Sequence, residues 1–201
     1  MDPLAKNILF VVLFTLIGGL FSASEMALVS LRETQVEEMA ARRPSGRTVK
    51  RLTEDSNRFL SAVQVGVTVT GFFSASFGAS EIAPIVAPVL REWGVSSSGA
   101  STLAFVLVTI AIAYLSIVFG ELVPKRIALQ SAEAIAGLVA RPLAAITALL
   151  RPVVWFLGVS TNVVLRLFGR NPEAQKDTMG LAELRAFVAG QEEIGDDERE
   201  M

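Results

Sequence analysis

Residues 101–126 read STLAFVLVTIAIAYLSIVFGELVPKR, and this stretch decides the fold of the chain. It carries no charge before Glu121 and ends with the basic pair Lys125 and Arg126. About 20 consecutive apolar residues suffice for a helix to cross a bilayer core of about 30 Å. A carboxylate at the end of such a run is costly in lipid and by default marks a functional site. The stretch therefore predicts a membrane helix at about 101–124 with a functional group near its end.

The composition of the whole chain also indicates an integral membrane protein. Of its 201 residues, 52% are hydrophobic and only 19% are charged, whereas about a quarter of a soluble domain is charged. The chain has no cysteine and no histidine, which excludes disulfides and thiolate metal sites and argues against an enzyme. A bound metal would need oxygen ligands, as Mg²⁺, Ca²⁺ and Na⁺ do. A net charge of −2 offers no basic field for nucleic acid.

Two further apolar runs predict membrane helices at about 7–31 and 59–80. The first contains a single charge, Glu25, and the second contains none. The polar segment between them, 32–58, holds seven basic residues and is interrupted by Pro44-Ser45-Gly46. It predicts a helical hairpin at the membrane surface. Because short loops rich in Lys and Arg remain in the cytoplasm, the N-terminus is expected outside and the C-terminus inside.

The apolar residues 131–168 are divided by Arg141 and Arg151, each followed by proline. None of the uncharged pieces reaches the roughly 18 residues that a span needs. This pattern favours juxtamembrane helices in the inner interface, with a fourth span as the alternative. The chain is thus predicted to be an all-α membrane protein with three transmembrane helices per subunit and a cytoplasmic-side helical belt.

Composition changes after position 170. Residues 1–170 form the predicted transmembrane domain, whereas 171–201 contain nine acidic and three basic residues. Helical spacing of the apolar residues in this second part predicts the start of a short acidic cytosolic helical linker. The linker is expected to be truncated, with a soluble part following it.

The segment FGELVPKR (119–126) suggests how a cation could bind. Pro124 has no N–H, so a helix through it loses the bond to the carbonyl of Gly120. That carbonyl and the Glu121 carboxylate would then supply neighbouring oxygen ligands for a hard cation. The alternative is that Glu121 only forms an ion pair with Lys125, four residues later. Spacing alone does not separate the two interpretations.

Two other segments place hydroxyl groups in the predicted spans. In GGLFSASE (18–25), a helix weakened by two glycines would let Ser22 and Ser24 point the same way, with Glu25 nearby. The alternative is that both hydroxyls bond back to their own helix. In the second span, small and polar residues share one helix face, which suits either close packing or a hydrophilic pocket. These residues are Ser61, Gln64, Thr68, Gly71 and Ala75.

Three stretches together resemble the membrane domain of the CNNM/CorC family of magnesium transporters. They are FSASEMALVSL (21–31), NRFLSAVQVGVTVTG (57–71) and FGELVPKRIAL (119–129), in the order and at the spacing of that family. The resemblance implies a homodimer in the plasma (inner) membrane that exports Mg²⁺, driven by Na⁺ entry. It also implies that an ATP-binding pair of CBS domains follows the chain. The alternative is a non-transporting membrane protein that senses Mg²⁺ or serves as a scaffold for a partner.

The resemblance also implies a set of site residues. Val67 stands where many members of the family have asparagine, so a helix-two ligand would come from Thr68, Thr70 or Ser74. The metal-binding residues implied are Ser22, Ser24, Thr68, Ser74, the Gly120 carbonyl and Glu121. Supporting roles are expected for Glu25, Gln64, Thr70, Pro124 and Lys125.

Overall fold

A computed structural model describes residues 3–169, and every regular element in that range is helical. The predicted linker 171–201 lies outside the described residues. Two π turns, Gly78–Ile82 and Val118–Leu122, join α4 to α5 and α6 to α7. The helices are α1 Pro3–Ser30, α2 Glu33–Arg42, α3 Pro44–Glu54, α4 Ser56–Phe77, α5 Ala83–Glu92, α6 Ser97–Ile117, α7 Val123–Gln130, α8 Ala132–Leu149 and α9 Arg151–Leu167.

Four segments of the described chain are long and apolar enough to cross a membrane: Leu4–Ser30, Ser56–Glu92, Ser97–Gln130 and Ala132–Leu149. The second and third include their π turns and run for 37 and 34 residues. At about 1.5 Å per residue, both are longer than a bilayer core of about 30 Å. The prediction of an all-helical, multi-pass membrane protein is therefore confirmed.

Helix α8 differs from the prediction for residues 131–168. It continues through Arg141 and Pro142 and ends only at Leu149, so its 18 residues reach the length of a span. Arg141 and Pro142 lie on its exposed side, while the opposite face packs against α1 and α3. Burial of that face stabilises the helix and offsets the single backbone bond that proline removes. The prediction that Arg141 and Pro142 divide this segment is therefore wrong, because one helix continues through both residues.

The predicted helical hairpin between α1 and α4 is confirmed by α2 and α3. Pro44 lies in the first turn of α3, where its missing N–H costs no helical bond. Gly46 allows α3 to approach the backbone of Met39 in α2, where a Cβ atom would collide with the carbonyl. The Gln35 amide donates to Glu133 Oε1 at 2.7 Å, which joins α2 to the start of α8.

The described residues fall into two compact units divided at Arg151, and α9 belongs to the second. In the first unit, two hydrophobic clusters pack around opposite ends of α1. One surrounds Ala27 and Leu28 and includes residues of α2, α3, α4, α7 and α8. The other surrounds Val11 and includes residues of α5 and α6. The middle of α1 lies between these clusters and carries small and polar residues.

Both π turns precede a proline in the first turn of the next helix, Pro84 or Pro124. The residue before each proline donates its N–H five residues back: Ala83 to Gly78, and Val123 to Val118. Because proline cannot make the usual bond to the fourth residue back, one wider turn accommodates the loss. Pro124 thus interrupts the helix by a π turn.

Candidate functional site

The glycine pair in the middle of α1 allows two other elements to approach closely. A Cβ atom at Gly18 would lie 3.0 Å from Thr70 Oγ1 in α4. A Cβ atom at Gly19 would lie 2.8 Å from the Phe119 carbonyl oxygen and 3.0 Å from Pro124 Cγ. Helix α1 itself is continuous through both glycines. The pair therefore serves close packing, and α1 does not unwind as the GGLFSASE interpretation required.

Glu121 is the fourth residue of the second π turn, and its side chain is 46% exposed. Its carboxylate accepts a hydrogen bond from Lys125 Nζ at 2.8 Å. The same ammonium lies 4.0 Å from Glu25 Oε2 of α1. Lys125 and Glu25 are each 28% exposed, so the three charges are partly shielded from solvent. The predicted ion pair between Glu121 and Lys125 is present, and Glu25 extends it to a third group.

A cavity of about 160 Å³ lies beside this charge cluster. Its walls come from α1, α4, the end of α6 and the second π turn. Part of the lining is apolar and comes from Phe14, Val67 and Ile117. The polar and glycine residues that line it are Thr15, Gly18, Thr70, Gly71, Ser116, Gly120 and Glu121. Glu121 is the charged residue of this lining. The cavity thus joins one carboxylate to several neutral oxygen atoms.

The serines of α1 lie next to this region but do not line the cavity. Ser22 is 1% exposed, and its Oγ has no hydrogen-bond partner in the described part of the chain. An unpaired buried hydroxyl loses its hydration without compensation, so a ligand or water reaching it would be favoured. Ser24, also buried, donates to the carbonyl of Leu20 at 2.6 Å. Of the two predicted serines, Ser22 is the one whose hydroxyl has no hydrogen-bond partner in the described part of the chain.

The hydroxyls of α4 are mostly occupied. Thr70, which lines the cavity, donates to the carbonyl of Gly66 at 2.7 Å, so its oxygen can still accept a hydrogen bond or bind a cation. Ser74 is fully buried, lies 3.1 Å from Thr15 Oγ1, and donates to the carbonyl of Val11 at 3.3 Å. Ser74 therefore ties α4 to α1 and lies outside the cavity lining.

The face of α4 that packs inward is not the one predicted. Thr68 and Gln64 are exposed, and neither lines the cavity. The buried face is offset around the helix and consists of Phe59, Ala62, Val63, Gly66, Thr70 and Ser74. Residues at 62, 66, 70 and 74 are four apart and small or hydroxylated, a spacing that also indicates a helix-packing face.

Two polar residues of the cavity were missed by the sequence analysis, Thr15 and Ser116. Thr15, Gly18, Gly19 and Ser22 follow one another at helical spacing, and this small, polar stripe was the available signal. Ser116 offered no such signal, because the nearest hydroxyl residues in its apolar run, Thr109 and Tyr114, are neither three nor four positions away.

The donor set of the region consists of oxygen atoms. Within residues 3–169 no three His, Cys, Asp or Glu side chains come close enough to hold a metal ion. A cation at Glu121 would therefore be bound by one carboxylate, neutral hydroxyl or carbonyl oxygens, and retained water. Such a shell suits a hard cation that keeps part of its hydration and dissociates readily.

The fold and the cavity define a multi-pass helical membrane protein with a carboxylate and several hydroxyl groups in a cavity beside an interrupted helix. Residues 8–201 match the family described as the Cyclin M transmembrane N-terminal domain (CNNM), and the chain belongs to this family. The family resemblance inferred from the three sequence stretches is confirmed.

Curated relatives agree with this assignment. UPF0053 protein sll0260 of Synechocystis sp. is 40% identical over 164 residues, covering 81% of this chain and 37% of the relative. UPF0053 protein YrkA of Bacillus subtilis is 30% identical over 172 residues, covering 85% and 40%. The polyamine export protein of Haemophilus influenzae is 31% identical over 198 residues, covering 96% and 44%. The chain therefore spans less than half the length of these relatives.

Proposed function

We propose that this chain is the membrane domain of a secondary transporter that exports Mg²⁺, with Na⁺ entry as the driving force. The observation that carries the proposal is the Glu121 carboxylate in the wall of a cavity that also holds several hydroxyl groups, within a segment long enough to cross the membrane. Intramembrane carboxylates are expensive and typically serve ion pathways. Helices interrupted near the site are a recurring way for transporters to bind ions.

Each group near the cavity has a role in this proposal. Glu121 supplies the negative charge, and the Gly120 carbonyl and Thr70 supply neutral oxygens. Ser22 contributes its free hydroxyl when the packing of α1 against the second π turn changes. At Gly19, α1 packs against the Phe119 carbonyl and the Pro124 ring, neither of which can rotate away. A shift of α1 would therefore move the second π turn and Glu121 with it. In alternating access, this movement of α1 and the second π turn would separate and reassemble the oxygen ligands around the ion.

The topology proposed is three spans, formed by α1, by α4–α5 and by α6–α7, with α8 and α9 in the cytoplasmic interface. The N-terminus is outside, the membrane is the plasma membrane, and two copies form a homodimer. The chain has no cysteine, so single cysteines can report the sidedness of α8. Cysteines replacing Ser131 and Leu150, at its two ends, should react from the same side with a membrane-impermeant reagent. Reaction from opposite sides would establish a fourth span.

The test of function is Mg²⁺ efflux from loaded proteoliposomes. The wild-type protein should move Mg²⁺ faster than protein-free vesicles, and an inward Na⁺ gradient should accelerate efflux. Glu121→Gln, which keeps size but removes charge, should abolish the flux. Wild-type flux from Glu121→Gln would overturn the site, and flux that ignores the Na⁺ gradient would overturn the coupling. Mg²⁺ binding without any flux would favour a sensor or scaffold.

A second candidate substrate is a polyamine, because one relative is named a polyamine export protein. The contact between the Lys125 ammonium and Glu121 supports it, since this carboxylate already accommodates a primary ammonium group. Efflux of a radiolabelled polyamine from the same vesicles tests the idea. Polyamine flux that Mg²⁺ does not inhibit, together with no Mg²⁺ flux, would replace the magnesium proposal by this one.

A further inference from the structure

Lys125 lies between two carboxylates that come from different elements. Its ammonium is bonded to Glu121 of the second π turn at 2.8 Å and lies 4.0 Å from Glu25 of α1. Both distances fall within ion-pair range, and the closer partner is the carboxylate that lines the cavity. The neighbouring Arg126 is exposed and makes no ion pair with a described residue. Only one of the two adjacent basic residues is therefore part of the cluster.

We infer that Lys125 determines the charge selectivity of the site, acting as a tethered monovalent cation that an incoming ion must displace from Glu121. This inference rests on the proposed cation-binding function of that carboxylate. Because Lys125 is four residues from Glu121 on the same helical stretch, its effective concentration at the carboxylate far exceeds that of a free ion. A monovalent ion would only exchange one positive charge for an equal one, whereas a divalent or polyvalent ion brings additional charge.

Glu25 gives the displaced ammonium a second partner. When a polyvalent cation takes Glu121, Lys125 turns toward Glu25, so the ammonium remains paired and no bare charge is left in the partly shielded region. Removing either partner of a shielded charge pair costs more than removing an exposed one. Glu25 therefore favours the cation-bound arrangement, and Lys125 opposes binding of every cation, most strongly of monovalent ones.

The inference requires opposite effects from two substitutions. In Lys125→Gln, Mg²⁺ binding measured by calorimetry on purified protein should become tighter at low salt. K⁺ should compete with Mg²⁺ more effectively in this variant. The K⁺ concentration that halves Mg²⁺ binding should fall about tenfold, because the tethered ammonium no longer competes for Glu121. In Glu25→Gln, Mg²⁺ binding should weaken, because the ammonium loses its alternative partner. Lys125→Arg should retain the wild-type discrimination against K⁺.

Controls separate competition from screening and from damage to the fold. Choline chloride at the ionic strength of the KCl series screens charge but is too large to replace K⁺ at a carboxylate. Arg126→Gln removes the same charge one residue away and should leave K⁺ inhibition unchanged, and Tm is measured for every variant. Wild-type protein that does not bind Mg²⁺ would overturn the proposed function and this inference together. If the wild-type protein binds Mg²⁺ but K⁺ inhibits the folded Lys125→Gln variant no more strongly than the wild type, only the inference about Lys125 would be overturned.

Discussion

The two π turns of the molecule start from the same local pattern and have different surroundings. Each has glutamate as its fourth residue and proline three residues later: Glu81 with Pro84, and Glu121 with Pro124. Each is preceded by a long apolar helix and followed by a short one. Pro84 and Pro124 explain the wider turns, because a proline has no N–H to donate the usual helical hydrogen bond.

Both turns contact α1 and α6, and what differs is the closest packing that each turn makes. The first turn packs through Gly78 against the side chains of Ile112 and Val108 in α6, and Glu81 is exposed without an ion pair in the described chain. The second turn packs against the backbone of α1 at Gly19, and Glu121 lines the cavity together with several hydroxyl groups. The local motif therefore produces the turn, and the tertiary partners of the second turn produce the candidate site.

The largest effect expected from this comparison concerns the two glutamates. Glu121→Gln should lower initial Mg²⁺ efflux from proteoliposomes by at least about a hundredfold, as loss of an essential charged ligand would. Glu81→Gln, the matched control, should retain efflux within about twofold, because Glu81 lines no described cavity shared with Glu121. Equal losses in both variants would show that the two turns contribute to one site.

The shared pattern also shows how much of the fold the sequence could predict. Apolar run lengths predicted the membrane helices, and Pro44 and Gly46 predicted the hairpin. The extent of α8 was missed because tertiary burial of one face carries the helix through Arg141-Pro142. Such compensation depends on partners distant in the chain, which no local pattern contains.

The candidate site was predictable in part for the same reason. Glu121 and the Lys125 ion pair follow from i, i+4 spacing along one helix. The polar face predicted for α4, with Gln64 and Thr68, is not its buried face, because the sequence does not state which face of α4 meets α1. Small residues occur on both faces of α4. Only the tertiary structure shows which face meets α1, since Gly18 lies against Thr70 and Gly66 lies against the ring of Phe21.

The contact of α1 with the second π turn can be tested at Gly19. Gly19→Ala should destabilise the protein by about 1–3 kcal/mol, because the new methyl group meets a backbone carbonyl and a proline ring that cannot rotate away. Gly71→Ala is the control: its Cβ meets nothing within 4 Å, and the better helix propensity should stabilise α4 by up to about 1 kcal/mol. Thermal unfolding in detergent measures both. A neutral Gly19→Ala would contradict the close packing.

The prolines test whether the π turn itself matters. Pro124→Ala restores an N–H that can bond to the Gly120 carbonyl, so the turn can relax to regular α-helix and rotate Glu121 relative to the cavity. Since one hydrogen bond contributes about 0.5–1.5 kcal/mol, efflux should fall by up to about tenfold. Pro84→Ala should change efflux little, although its local backbone effect is the same. If efflux falls only in Pro84→Ala, the functional site would belong to the first π turn instead of the second.

The smallest effect is expected at Ser74, one turn before the first π turn. Ser74→Ala leaves the buried Thr15 hydroxyl without its partner in α4, which should lower stability by about 0.6 kcal/mol, the average for hydrogen bonds between membrane helices. Mg²⁺ affinity should not change, because the Ser74 hydroxyl is committed to Thr15 and to the carbonyl of Val11. The opposite result, weaker Mg²⁺ binding at unchanged Tm, would make Ser74 a ligand. It would then extend the site from the second π turn toward the first.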